Sequence, residues 1–169
     1  LASIPIFVFG FLIKVFWPEF SDSHFRGLFS IALVSIIMSI LLAFAEVYGN
    51  KRKLFRDIEL RDIILLGISQ SLAIFPGVSR SGVTLTSALF SGLERKTAAK
   101  LSFLVGIPAI SISGFVELLS LFRTTSAIDI IPTIIGIISS FISSFIAIDL
   151  LLKFLAKNNT LIFVYYRLA

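Results

Sequence analysis

The chain has 169 residues, 57% of them hydrophobic and only 15% charged, with 15 basic against 10 acidic side chains and a mean hydropathy of +1.01. Soluble domains carry about 25% charged residues, so this chain has too little polar surface to coat a globule of its size, and a soluble or disordered protein is excluded. With no cysteine and one histidine, His24, these residues alone cannot build disulfide frameworks, thiolate metal sites, cysteine nucleophiles or two-histidine phosphatase chemistry.

Residues 1–16 form an apolar segment that ends at Trp17-Pro18, an interfacial aromatic followed by a helix breaker. The chain opens on Leu and runs thirteen residues without charge, lacking the basic region of a leader peptide. The expectation is therefore a single membrane domain over 1–169 that lacks an N-terminal part and, at LIFVYYRLA, part of its last helix. A polar loop with Glu19, Asp22, His24 and Arg26 follows, and a solvated loop histidine is the expected role of His24. Residues 27–48 begin with nineteen uncharged positions, enough at about 1.5 Å per residue to cross roughly 30 Å of hydrocarbon. The loop 49–62 then carries the densest basic cluster, with Lys51, Arg52, Lys53, Arg56 and Arg61.

Residues 63–93 differ from the spans on either side. The apolar stretch IILLGISQSLAIF holds thirteen residues and closes at Pro76-Gly77; a second short run follows Gly82. Neither half crosses a bilayer. Either one helix is broken in the middle, or a re-entrant hairpin enters and leaves on one side. The Lys and Arg bias favours the hairpin, because Arg95, Lys96, Lys100, Lys153 and Lys157 then share one side with the 49–62 cluster. Its tip, residues 76–82, would lie beyond the midplane, nearer the external face.

Two further spans, 101–122 and 130–152, complete the chain. Glu46, Glu117 and Asp149 lie near span ends, where interfacial solvation is expected. Gly136, Ser140 and Ser144, with Ser139, Ser143 and Ala147, form small-residue stripes expected to serve close helix packing. Ser35 and Ser39 read the same way, and Pro108 is expected to kink its helix.

The chemistry concentrates at the hairpin tip, Gln70 to Thr84. Pro76 stops the first half-helix, while Gly77 and Gly82 permit conformations and approaches that a side chain would prevent. Arg80 is an isolated guanidinium at membrane depth, which costs several kcal/mol unless it faces a cavity and a partner. Its planar fork matches phosphate oxygens. Ser79, Ser81 and Thr84 add neutral donors, and a helix starting near Ser81 would aim its N-terminus at the same point. The alternative is a capped loop whose arginine pairs with a carboxylate such as Glu117 or Glu46.

The stretch Q-S-L-A-I-F-P-G-V-S-R-S-G-V-T-L, followed by A-A-K-L-S-F-L-V-G-I-P-A, closely resembles the second conserved region of the undecaprenyl-diphosphate phosphatases of the bacitracin-resistance type. The likeness extends over most of the chain. It implies an all-α integral membrane protein with transmembrane helices and a re-entrant helix-loop-helix, forming half of an inverted-repeat architecture in the bacterial plasma membrane, with the active-site loop toward the external face. The activity implied is hydrolysis of undecaprenyl diphosphate, which recycles the carrier lipid for peptidoglycan synthesis and underlies bacitracin resistance. In that reading Arg80 binds the diphosphate, Ser79 and Thr84 contact phosphate or shape its pocket, Gly77, Ser81 and Gly82 form the binding loop, and Gln70 lies near it. The resemblance also implies a divalent cation, Mg²⁺ or Ca²⁺, whose carboxylate ligands, like the base or nucleophile, would precede Leu1. The partners implied are a polyprenyl diphosphate and the membrane, with no nucleic acid and a possible homodimer. The main alternative is a lipid-phosphate or phosphate transporter using the same anion loop. A second phosphatase motif, S-R-x5-H, fails because Thr86 occupies the histidine position.

Overall fold

Helices form along the apolar runs, and the charged clusters fall mostly between them. A computed structural model describes residues 1–17, 27–124 and 130–168; the loop holding His24 lies outside them, as does 125–129. The helices are α1 (Ile4–Phe16), α2 (Leu28–Tyr48), α3 (Leu60–Ser71), α4 (Arg80–Phe90), α5 (Arg95–Thr124), α6 (Ile130–Leu155) and α7 (Leu161–Leu168). Three of them, α2, α5 and α6, are long and apolar enough to span a bilayer. The protein is an all-α, multi-pass membrane protein.

The short helices α3 and α4 lie side by side at the centre, with α1 against α3 and with α2 and α5 against α4. Their outer ends are joined by backbone: Arg52 and Lys53 N–H donate to Gly92 O (2.9 Å each), and Glu94 N–H donates to Lys53 O (2.9 Å). The chain therefore leaves the pair where it entered. Leu42 and Ala45 of α2, Leu66 of α3, Ala88 and Leu89 of α4, Ala98 and Leu101 of α5 and Val164 of α7 form the core around it.

Within lipid, an apolar contact between helices gains little over contact with acyl chains, so polar links carry much of the specificity. The clearest is at Glu46. Expected to be solvated at the end of its span, Glu46 is instead 4% exposed. Its carboxylate accepts from Arg95 Nε (2.8 Å) and Nη2, from Thr160 N–H (3.2 Å) and Oγ1 (2.7 Å), and lies 3.4 Å from Lys51 Nζ. One carboxylate thus ties the C-terminal end of α2 to the starts of α5 and α7, because packing against Thr160 and Arg95 shuts water out. Asp149 meets solvent and Lys153 (2.7 Å).

The small-residue stripes of α6 also depart from expectation. Residues 134–150 are exposed, and nothing lies within 4 Å of a Cβ built on Gly136. Only the last turn of α6, at Leu155, is buried, so among the described residues no helix packs on the stripes. Helix α5 continues through Pro108.

Candidate functional site

The loop between α3 and α4 is shaped by residues close in sequence. A 3-10 turn at Leu72–Ile74 prolongs α3, and Val78 N–H donates to Phe75 O (3.2 Å) across Pro76-Gly77. Gly77 has φ +90°, and a Cβ there would lie 2.8 Å from Ile31 O; both the conformation and the approach to α2 require glycine. The freed Gly77 carbonyl accepts from Ser35 Oγ (3.3 Å) and from Arg167 Nη2 (3.1 Å). Ser35, read as a packing serine, therefore holds the loop as well.

Helix α4 begins at Arg80, one residue earlier than the sequence suggests, with Ser79 as its N-cap. Ser79 Oγ accepts from Gly82 N–H (3.2 Å) and lies 3.5 Å from Ser81 Oγ. Either of these two hydroxyls can donate to the other. A Cβ on Gly82 would approach Ser79 Cβ (3.1 Å), Ser79 Oγ (3.2 Å) and Arg167 Nη1 (3.4 Å), so the missing side chain keeps the mouth of the helix open.

These groups border a cavity of about 530 Å³. Gly77, Ser79, Ser81, Gly82 and Arg167 lie together in its lining; Ser102 also lines it, and Leu42, Leu85, Phe103, Leu151, Leu155 and Phe163 form apolar walls. Of the sequence-derived residues, Gly77, Ser79, Ser81 and Gly82 come together here. Arg80 is not among the lining groups. It is half-buried, and its Nε is buried without a partner. No carboxylate pairs with Arg80 or Arg167 among the described residues, and Glu46, one candidate partner for Arg80, is held by Arg95. Thr84 is fully buried; its hydroxyl donates to Arg80 O (2.9 Å) and contacts Ser81 O (3.3 Å), which bends its proton back onto α4. Gln70 is fully buried with neither amide atom partnered.

Sequence reasoning missed Arg167 and Ser102. The signal for Arg167 was present: like Arg80, it is a lone cation in an apolar run, LIFVYYRLA. Among the described residues no three histidine or carboxylate side chains come together to hold a cation, and Asp62 is already engaged by Lys53 (3.1 Å), so the cation that the resemblance implies has no ligand set here.

A helix-loop-helix hairpin in a bundle of membrane spans, with a capped helix N-terminus and hydroxyls beside an apolar-walled cavity, defines an all-α, multi-pass membrane protein with a pocket at the hairpin tip. The family described as bacitracin resistance protein BacA matches residues 1–169, and the chain belongs to that family. It is 75% identical over its whole length to an undecaprenyl-diphosphatase of Prochlorococcus marinus (strain NATL1A), covering 61% of that protein. It is 48% identical over its whole length to one of Trichodesmium erythraeum (strain IMS101), covering 54%, and 45% identical over 99% of its length to one of Synechococcus sp. (strain CC9311), covering 59%. The chain spans about three-fifths of the length of the curated relatives it matches.

Proposed function

We propose that the protein removes the terminal phosphate of undecaprenyl diphosphate in the bacterial plasma membrane, giving undecaprenyl phosphate and inorganic phosphate and so recycling the carrier lipid for peptidoglycan synthesis. The observation that carries this reading is the two-sided cavity. Hydroxyls, a guanidinium and a helix N-terminus form one end; leucine and phenylalanine walls form the rest. An inorganic anion has no use for those walls, whereas a prenyl diphosphate matches both ends. The names of the relatives point to the same substrate.

In the reaction, water attacks the terminal phosphorus, the bridging P–O bond breaks, and the lipid monophosphate leaves. Such transfer is driven by fixed charge and donors around the equatorial oxygens more than by covalent work. Ser79 and Ser81 supply hydroxyl donors. The first N–H groups of α4 have no intrahelical acceptor, and Arg80 supplies charge at the start of the same helix. The gathering of Lys51, Lys53 and Arg95 at one end of the bundle supports a cytoplasmic position for that end, with the hairpin tip opening toward the external face.

The test is release of inorganic phosphate from undecaprenyl diphosphate by the protein at its full natural length, purified in detergent. A phosphatase releases phosphate there, and Arg80→Ala lowers kcat/KM by several orders of magnitude. A transporter releases none, because it needs a sealed membrane and breaks no bond.

A further inference from the structure

We propose that the base of the hairpin binds an anionic phospholipid: Arg56, Lys96 and Lys100 take its phosphodiester, while Leu54, Phe55 and Leu104 cover the apolar part beneath. The site lies at the end of the hairpin away from the tip and stands whether or not the tip hydrolyses a lipid.

These six side chains border one surface cavity of about 720 Å³. Glu94 and Thr97 complete it, and the Glu94 carboxylate accepts from Thr97 Oγ1 (3.5 Å). The lining thus holds three cations against one carboxylate. Of the basic residues that open α5, Arg95 turns inward to Glu46. Lys96 and Lys100 are exposed, and no carboxylate pairs with either among the described residues. Arg56 has only its neighbour Asp57, at 3.8 Å.

Two local forces act against the lysines where they stand. They lie in the first two turns of α5, where the helix dipole favours negative charge, and no acidic residue occupies the first turn. They are also four residues apart, the spacing at which like charges repel along a helix face. An anion seated between them relieves both.

The surroundings make that anion a lipid. The face carrying Lys96 and Lys100 continues four residues on at Leu104 and then through Ile107 and Phe115, all exposed, so the cations sit directly above an apolar stripe on a membrane span. Leu54 and Phe55 are also exposed, within the most basic loop of the chain; a soluble anion has no use for them, whereas the glycerol and upper acyl chains of a lipid cover them. Basic pockets at the membrane face beside spanning helices suit anionic headgroups. Residues 54–56 precede α3 and residues 94–100 follow α4, so the bound phosphate bridges the chain entering the hairpin and the chain leaving it.

The probes are dioctanoyl phosphatidylglycerol and dioctanoyl phosphatidylcholine, with binding measured on the protein at its full natural length in a neutral detergent. The wild type is expected to prefer the glycerol lipid about tenfold or more. In the double variant Lys96→Gln, Lys100→Gln its Kd should rise about 10- to 30-fold, the effect of two lysines near an anionic headgroup, with little change for the choline lipid. The rise in thermal midpoint that the glycerol lipid gives the wild type should be lost as well. The control is Lys153→Gln, Lys157→Gln, which removes two other exposed cations and should keep the preference; Arg56→Gln carries the comparison if the first variant fails to fold. Equal binding of the two lipids by the wild type, an unchanged Kd in the Lys96 and Lys100 variant, or an equal loss in the control overturns the assignment. So does displacement of the glycerol lipid by inorganic phosphate at the same concentration, which would mark a site for free anions.

Discussion

Ser79 has two roles in one side chain: Oγ caps α4 by accepting from Gly82 N–H, and the hydroxyl, 3.5 Å from Ser81 Oγ, lines the cavity. Ser79→Ala removes both. The lost cap costs about 1 kcal/mol and lowers the thermal midpoint modestly. The lost donor lowers kcat/KM about 10²- to 10³-fold, the usual effect of deleting one donor to a developing oxyanion. Steady-state kinetics on the folded variant separate the roles, because complete loss of turnover would identify Ser79 as a nucleophile. Ser79, Ser81, Gly77 and Gly82 were legible because their relations span only a few residues and follow from helix and turn geometry. Thr84 was legible as a residue of α4 but not in the direction of its hydroxyl, which turns back to Arg80 O. Arg167 stood out as a lone cation, but its partners were hidden: Gly77 and Ser35 lie far away in the chain and only packing brings them together.

At the scale of elements, the breakers at Pro76-Gly77 marked where the 3-10 extension of α3 ends and the tip begins. Nothing local indicated that Arg52, Lys53, Gly92 and Glu94 would close the base of the hairpin through backbone hydrogen bonds, or that Glu46 would be the clamp joining α2, α5 and α7. A carboxylate near a span end reads as solvated unless its distant partners are known. The clamp makes a prediction. Glu46→Gln leaves Arg95 and Lys51 beside a neutral, buried amide, and losing a hydrogen bond to a charged group costs about 1.5–3 kcal/mol. The thermal midpoint in detergent should fall markedly, while ligand affinity measured well below it stays near wild type, since Glu46 does not line the cavity. An unchanged midpoint would show that the clamp does not hold the helices.

For the molecule as a whole, composition alone established that lipid surrounds the chain, and the exposed faces of α5 and α6 agree. The α6 stripes show the limit of that reasoning, since small residues signal a capacity for close packing without naming what packs. Orientation can be tested directly because the chain has no cysteine. Single Arg56→Cys, Lys96→Cys and Lys157→Cys variants should all react with a membrane-impermeant thiol reagent from the cytoplasmic side, and Ser81→Cys from the external side. Reaction of Lys96→Cys from the side opposite Arg56→Cys would contradict a hairpin that returns to the face it entered. The central claim, that the tip of this hairpin cleaves a lipid diphosphate, is tested most directly by phosphate release from undecaprenyl diphosphate in detergent, comparing wild type with Arg80→Ala at full natural length. The predicted result is steady release by the wild type and a kcat/KM lower by several orders of magnitude in a folded variant; no release by the wild type, or near-equal rates in the two proteins, would contradict it.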